Sequence, residues 1–208
     1  MTLTDAPAAE PAAAPAERAA PPPPRVFVGI KIAPEIAAQL AAFAIGLERP
    51  FARPVAAADI HLTLVPPWNE PSTADAIAKL GRVAENFAAF TLVFQHVGYG
   101  PQQRRPRLLW ADCAAGEDIT ALQAALMQAY GRTEERAFQP HVTIARIRGA
   151  GPAIARRHPI DQPLSLTQRV ETIELFQSPP AGERGYRLLA SLPLGQAAET
   201  APSPSVRP

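Results

Sequence analysis

Of the 208 residues, 47% are hydrophobic and 19% are charged, a balance that builds a buried core rather than a disordered chain. At this length the chain forms one domain or two small lobes, and we expect one compact unit. The formal net charge of +1 excludes a protein that is strongly basic overall, as many nucleic-acid-binding domains are, so any affinity for RNA must come from a local patch.

The two ends of the chain are unsuited to a packed fold. Residues 1–24 are mostly Ala, Pro, Glu and Thr and end in four consecutive prolines, a composition that favours extended conformations. Residues 196–208 are similarly poor in large apolar side chains. We therefore predict disordered tails over residues 1–24 and 196–208 and a folded domain over residues 25–195.

The domain begins with alternating strand and helix patterns. Residues 26–32 are rich in β-branched side chains and predict a strand. Pro34 suits the first position of a helix, whose apolar face would carry Ile36, Leu40, Phe43 and Leu47. Residues 61–65 predict a second strand, which we expect to stop at Pro66 and Pro67 because a proline nitrogen cannot donate a hydrogen bond.

The middle of the domain continues this order. Ser72 and Asp75 resemble a capping box at the start of a second helix, whose inner face would carry Ile77, Leu80, Val83 and Phe87. Residues 90–97 and 107–113 predict two strands. They are joined by a Gly/Pro/Arg-rich loop that contains Tyr99.

The last part of the domain holds a third helix over residues 118–130, with Gly131 as its C-terminal stop. Residues 141–147 predict the next strand. The remaining segments are a short arginine-rich piece and two closing strands, over residues 154–158, 164–177 and 186–194. The order β-α-β-α-β-β-α-β-(α)-β-β indicates the α+β fold class.

One pattern occurs twice: residues 61–64 and 141–144 both read His-apolar-Thr-apolar. Because side chains alternate along a strand, the histidine and threonine of each copy share one face, and the apolar pair anchors the other. A single His-x-Thr strand is most often structural. Two copies among only four histidines, one in each half of the domain, are typical of an internally duplicated site.

Two imidazoles that flank one small anion suit the hydrolysis or transesterification of a phosphodiester. One imidazole takes a proton from the attacking water and the other gives one to the departing oxygen, and an ordinary histidine pKa of about 6.5 allows both forms near neutral pH. Threonine hydroxyls donate to the non-bridging oxygens. This chemistry requires no metal, and from the residues alone the two histidine roles are interchangeable.

The collinear set of segments resembles the two-histidine phosphoesterase superfamily, and most closely the bacterial RNA 2′,3′-cyclic phosphodiesterases that are also described as 2′-5′ RNA ligases. The segments that carry the resemblance are residues 25–30, 61–64, 107–110, 140–146, 173–178, 185–186 and 192–194.

The resemblance implies a bilobal fold in which two pseudo-symmetric, antiparallel-rich sheets form a central groove with helices outside. It implies opening of a 2′,3′-cyclic phosphate to a 2′-phosphate without a cofactor, with His61 as proton donor and His141 as proton acceptor. Thr63 and Thr143 match the phosphate-binding hydroxyls. The chain departs from the family after the first motif, where Pro66-Pro67 replaces the usual continuation, and this leaves the exact substrate open.

Two further residues are candidates for substrate binding. Arg146 is the fifth residue after His141 and would face away from it in a regular strand, unless a twist or bulge turns its guanidinium towards phosphate. Tyr99 could stack on a nucleobase. Two arginine clusters could either track an RNA backbone or remain solvated: Arg104, Arg105 and Arg107, and Arg148, Arg156 and Arg157. His96 and His158 lack neighbours at metal-ligand spacing.

The expected partners are RNA ends or small cyclic nucleotides as substrates. Alternatives are cleavage or formation of a 2′-5′ linkage, or a non-catalytic module that binds RNA or nucleotides. The single cysteine, Cys113, rules out an internal disulfide and fits the cytoplasm. We expect no membrane segment, since no apolar stretch approaches the roughly 18 residues needed, and we favour a monomer.

Overall fold

The computed structural model describes residues 22–47, 51–102, 105–149, 151–180 and 182–195. Except for residues 22–24, both predicted tails lie outside the described residues, and their disorder stays a prediction. The elements of the fold run from Arg25 to the isolated β-bridge at Gly195.

The described residues form nine strands and four helices. The strands are β1 (Arg25–Lys31), β2 (Ala52–Pro54), β3 (His61–Asn69), β4 (Phe90–Gly100), β5 (Leu108–Cys113), β6 (His141–Ile147), β7 (Gln162–Val170), β8 (Thr172–Gln177) and β9 (Arg187–Pro193). The helices are α1 (Pro34–Ala42), α2 (Thr73–Ala84), α3 (Glu117–Ala129) and α4 (Gly151–Arg157).

The strands lie in the order β7-β4-β5-β6-β3-β1-β8-β9, with β2 beside the end of β6. The two motif strands, β3 and β6, meet at the centre through one register pair, Leu62 opposite Val142. Four strands on each side therefore form a first lobe (β3, β1, β8, β9) and a second lobe (β6, β5, β4, β7). All pairings between these strands are antiparallel. The predicted bilobal α+β fold is confirmed, with the two sheets joined into one.

The apolar side chains of the two motifs form the centre of the core. Leu62, Val142 and Ile144 are fully buried, and Leu64 is 1% exposed. Burial of each such side chain contributes about 1.5–3 kcal/mol. Helix α3 packs on β3 and β4, and α2 packs on β8 and β9. Because the core occupies this face of β3 and β6, the histidines and threonines face away from it.

The predicted ends of two helices are confirmed. Ser72 is the N-cap of α2, and its Oγ accepts a hydrogen bond of 3.2 Å from the Asp75 amide. Gly131 follows α3 with φ of +59°. That left-handed conformation suits glycine and ends the helix.

Both motif strands contain a β-bulge at the same place. Leu64 is an extra residue in β3, because Val65 pairs with Val28 while Thr63 pairs with Gly29. Ile144 is an extra residue in β6 in the same way, between the paired positions Thr143 and Ala145. Each bulge turns two successive apolar side chains inward and resets the alternation of the strand.

The expectation that the second strand stops at Pro66 and Pro67 is wrong, because β3 continues to Asn69. The two prolines lie at a second irregularity opposite Phe27, between the pairs Val28–Val65 and Val26–Trp68. On its other edge, β3 pairs with β6 only at Leu62. The missing amide donors therefore interrupt no ladder.

Three other predictions about the strands need correction. Residues 164–177 are not one strand, since the chain turns at Glu171 and β7 and β8 lie in different lobes. Tyr99 lies in β4, opposite Leu109, and not in a loop. The short strand β2 is absent from the prediction because three residues carry too little pattern to identify it.

Candidate active site

Both motif histidines are held by the same local hydrogen bond. The Nδ1 of His61 donates to the carbonyl oxygen of Asp59 at 2.7 Å, and the Nδ1 of His141 donates to that of Gln139 at 2.8 Å. A carbonyl oxygen only accepts, so the proton of a neutral ring resides on Nδ1. Each ring therefore presents Nε2 as the atom that takes or gives a proton.

The pairing of β3 with β6 brings the two motifs together. With Leu62 opposite Val142, antiparallel register sets His61 opposite Thr143, and Thr63 opposite His141. Side chains on one face of such a pair have Cβ atoms about 4.5–5.5 Å apart when directly opposite and about 7–8 Å apart when diagonal. The charge of His141 also acts on His61 and lowers its pKa. The structure thus places two imidazoles and two hydroxyls on one face.

The first cavity is on the His61 side of this face and has a volume of about 520 Å³. Its lining includes His61, Thr63 and four arginines, and the arginines are Arg25, Arg53, Arg146 and Arg184. They come from β1, β2, β6 and the loop before β9. Only Asp59 and Glu183 oppose them in the lining. This cavity is suited to a phosphorylated ligand.

The second cavity is on the His141 side and has a volume of about 290 Å³. Trp110 and Phe138 supply aromatic walls, and Gln139 contributes an amide. The Trp110 ring lies 4.5 Å from that of His141. Thr63 lines both cavities, so it marks the point where they meet.

Aromatic side chains surround His61. Its ring centroid lies 4.8 Å from that of Phe27, 4.9 Å from Tyr186 and 5.9 Å from Phe176. Burial lowers the pKa of His61 below 6.5, and the positive charges of Arg146 and His141 lower it further, while the Asp59 carbonyl and carboxylate oppose these effects. In the ligand-free protein, His61 is therefore predominantly neutral at pH 7.

Asp59 connects two walls of the first cavity. Its carbonyl oxygen holds His61, and its carboxylate accepts a hydrogen bond of 3.2 Å from the Tyr186 amide. Gly29, on the neighbouring strand, allows β1 to approach this region, because a Cβ there would lie 2.6 Å from the Leu62 carbonyl oxygen. These contacts fix the orientation of His61 from both sides.

Arg146 lines the first cavity with His61. The bulge at Ile144 accounts for this position, since it shifts the alternation so that the fifth residue after His141 faces the site. Arg146 also lies opposite Arg53 in the pairing of β2 with β6. Its predicted substrate role stays a prediction, now with a location on the His61 side.

The other predicted site residues occupy different places. Thr143 is half-buried beside the centre of the site but does not line either cavity. Tyr99 lines a third cavity of about 480 Å³, which shares Trp110 and Gln139 with the second cavity but lacks both motif histidines. Its hydroxyl donates to the His158 carbonyl at 2.8 Å. The structure does not bring Tyr99 to the motif histidines, and Trp110 lies beside one of them instead.

The arginine clusters near residues 104–107 and 148–157 do not line the two cavities either, as far as the structure describes them. Arg104 lies outside the described residues. The sequence reasoning missed Arg25, Arg53 and Arg184, which come from separate segments. No local spacing connects them, although Arg25 and residues 185–186 stand within segments that carry the family resemblance.

His96 belongs to a different cluster. Its Nε2 contacts the Asp161 carboxylate, and its Nδ1 lies 4.0 Å from Asp112. Among the described residues, no group of three His, Cys, Asp or Glu side chains is arranged to hold a metal ion. Within the same part of the chain, no helix has both the length and the apolar character needed to cross a membrane.

Comparisons with known proteins found a family model and several solved structures that are similar to this chain. The model of the 2′-5′ RNA ligase superfamily matches residues 32–178. A similar solved structure is TT0787 of Thermus thermophilus, 24% identical with a TM-score of 0.69, over 83% of this chain and 98% of that chain. This likeness shows the fold.

The solved complex of E. coli LigT with NADP+ is 27% identical, with a TM-score of 0.66, over 84% of this chain and 99% of that chain. The complex of E. coli LigT with 3′-AMP has the same identity, coverage and TM-score. Among curated proteins, the comparison found no match.

Proposed function

Because the chain belongs to the 2′-5′ RNA ligase superfamily of two-histidine phosphoesterases, we propose that it hydrolyses 2′,3′-cyclic phosphodiesters at RNA or nucleotide ends to 2′-phosphomonoesters. The observation that carries the proposal is the shared tethering of His61 and His141, since each Nδ1 donates to a backbone carbonyl and leaves Nε2 for proton transfer. E. coli LigT, with which this chain shares its fold, has been solved with bound nucleotides.

In the proposed reaction, a water oxygen attacks phosphorus and its proton passes to Nε2 of His141. The bond between phosphorus and O3′ breaks, and Nε2–H of His61 protonates the departing O3′. The products are a 2′-phosphomonoester and a free 3′-hydroxyl. The Thr63 and Thr143 hydroxyls and the Arg146 guanidinium stabilise the charge that develops on the non-bridging oxygens.

The lowered pKa of His61 bears on its role as proton donor. Burial and the charge of Arg146 lower the pKa of this ring and favour its neutral form. A bound phosphate brings a negative charge beside both groups, which offsets the repulsion and raises the pKa of His61. Protonation of His61 is therefore coupled to substrate binding.

The second cavity suits the base of the terminal nucleotide. Trp110 and Phe138 offer aromatic surfaces, and Gln139 offers polar groups for the edge of a base. Stacking on an aromatic ring is worth about 1–3 kcal/mol per base and accepts any base. In this arrangement the phosphate lies between the two histidines.

Product analysis tests the proposed reaction. The full-length protein, incubated in EDTA with 2′,3′-cyclic nucleotides and with RNA that ends in a 2′,3′-cyclic phosphate, should give 2′-phosphates only. A 3′-phosphate product, or no product from either substrate, would contradict the proposal. The control is the His96→Ala variant, which changes a histidine outside both cavities and should behave as the wild type.

Two alternatives are separated by parallel measurements. Cleavage or formation of 2′-5′ linkages is assayed with 2′-5′ oligonucleotides under the same conditions. A non-catalytic binding module would bind a 2′-phosphorylated nucleotide tightly yet give no product after prolonged incubation. The presence of two proton-transfer groups favours the enzyme, because binding alone does not require them.

A cytoplasmic monomer belongs to the same proposal. The cytoplasmic location is supported by the single cysteine, Cys113, which is buried and unable to form an internal disulfide. Size-exclusion chromatography with light scattering measures the oligomeric state directly.

A further inference from the structure

The first cavity carries more positive charge than one cyclic phosphodiester can neutralise. Four arginines line it against two carboxylates, which leaves a formal excess of +2 before either histidine is protonated. A 2′,3′-cyclic phosphodiester bears one negative charge. The proposed reaction therefore leaves part of this charge without a function.

These arginines are not engaged elsewhere in the described structure. None of the four guanidiniums forms an ion pair with a carboxylate among the residues that the structure describes. Arg53 and Arg146 lie directly opposite each other on β2 and β6, an arrangement of like charges that is destabilising without an anion. Four separate elements supply the four side chains, so they do not form one solvated basic run.

The four arginines divide into two groups. Arg146 lines the cavity with His61, and its charge acts on that ring, so the proposed reaction assigns it to the scissile phosphate. Arg25, Arg53 and Arg184 line the rest of the cavity. A guanidinium group binds two oxygens of a phosphate through two parallel hydrogen bonds. A second phosphate in this position would neutralise the excess charge.

We propose that Arg25, Arg53 and Arg184 bind a second phosphate group of the substrate, the 5′-phosphate of the nucleotide that carries the cyclic end. This inference rests on the proposed function and specifies its substrate class. The preferred substrates are 2′,3′-cyclic ends with a 5′-phosphate, either as a phosphodiester within an RNA 3′ end or as a free 5′-monophosphate. Plain nucleoside 2′,3′-cyclic phosphates are poorer substrates.

The experiment compares kcat/KM for three substrates with the same base: a nucleoside 2′,3′-cyclic phosphate, its 5′-phosphorylated form, and a short RNA with the same cyclic end. We expect the 5′-phosphorylated forms to be preferred by about tenfold or more, since hydrogen bonds to charged groups contribute about 1.5–3 kcal/mol. The preference should shrink as salt is added. Equal kcat/KM values for the 5′-phosphorylated nucleotide and the RNA indicate recognition of the phosphate alone. A higher kcat/KM for the RNA indicates contacts with its chain as well.

In the variants Arg53→Gln and Arg184→Gln, the ratio of kcat/KM with the 5′-phosphate to kcat/KM without it should fall towards one. Arg82→Gln, which changes an arginine on α2 beside a different cavity, is the matched control and should keep the wild-type preference. If this ratio were near one in the wild-type protein, the inference would be overturned. Equal losses on all three substrates in the Arg53 and Arg184 variants would also overturn it, because they would indicate a structural role.

A binding measurement separates this inference from the proposed reaction. The affinity for a nucleoside 2′,5′-bisphosphate is compared with that for the 2′-monophosphate by calorimetry, which needs no turnover. Tighter binding of the bisphosphate, lost in Arg53→Gln, supports the second phosphate site even if hydrolysis is not found. Equal affinities would refute the site even if hydrolysis is found.

Discussion

The two halves of the site share one construction and differ in their surroundings. In both, a histidine is tethered through Nδ1 to the carbonyl two residues before it, and a bulge follows the threonine. The His61 side is enclosed by three aromatic rings and faces four arginines, whereas the His141 side faces the Trp110 ring and a cavity with amide groups.

Under the proposed function, the features that the two halves share serve proton transfer, and the features that differ serve substrate recognition. What the two halves share is what the proposed proton transfer requires, namely a ring whose Nδ1 is tethered to a backbone carbonyl, so that Nε2 is left to take or give a proton. The two halves differ in the side chains that would contact a ligand. The fifth residue after the histidine is Arg146 in the second motif and Pro66 in the first. Under the proposed function, the duplicated strand keeps the groups that transfer protons and varies the groups that bind the ligand.

The largest effect is expected from removal of either imidazole. His61→Ala and His141→Ala should each lower turnover of a 2′,3′-cyclic nucleotide by about 10²–10⁴-fold, the usual contribution of general acid–base catalysis. Circular dichroism checks that both variants are folded. If either variant kept wild-type turnover, the shared role of the two halves would be refuted.

Arg146→Gln should have the next largest effect. Loss of a charged hydrogen-bond donor to phosphate costs about 1.5–3 kcal/mol, or roughly 10–150-fold in kcat/KM. Because the charge of Arg146 lowers the pKa of His61, its removal should raise that pKa. Imidazole NMR titration of the ligand-free protein measures the shift, and an unchanged His61 midpoint would show that Arg146 is remote from it.

The smallest effect tests the enclosure of His61. Tyr186→Ala removes one of the three rings around His61 and admits water, so the pKa of His61 should rise towards 6.5 because burial is the main cause of its lowering. The matched control is Tyr99→Ala, since Tyr99 lies in another cavity. A fall in the His61 midpoint, or an equal shift in the control, would contradict the account.

Local pattern in the sequence was enough to predict the two motif strands and the face that His61, Thr63 and His141 share. Strand alternation and the apolar partners carry that information within four residues. The bulges were not predicted, although two successive apolar residues follow each threonine. Alternation alone describes a regular strand, so it leaves the orientation of Arg146 open.

The rest of the site depends on contacts between distant segments. Arg25, Arg53 and Arg184 converge only after β1, β2 and the loop before β9 are in place, and the sequence contains no spacing that joins them. The continuation of β3 through two prolines depends equally on its neighbours, because an unpaired edge tolerates them. The glycines that flank Tyr99 favour a loop, and this signal outweighs the strand pattern of β4.

The unlike roles of the two histidines are tested most directly with a leaving group that needs no proton. The p-nitrophenyl ester of a 3′-deoxynucleoside 2′-phosphate releases a stable anion and has no neighbouring hydroxyl that could attack phosphorus, so His61→Ala should keep far more of the wild-type rate on this ester than on a cyclic nucleotide. His141→Ala should remain inactive on both substrates, because water must still be deprotonated. Recovery of His141→Ala in place of His61→Ala would reverse the assignment, and recovery of neither variant would contradict acid–base catalysis by this pair.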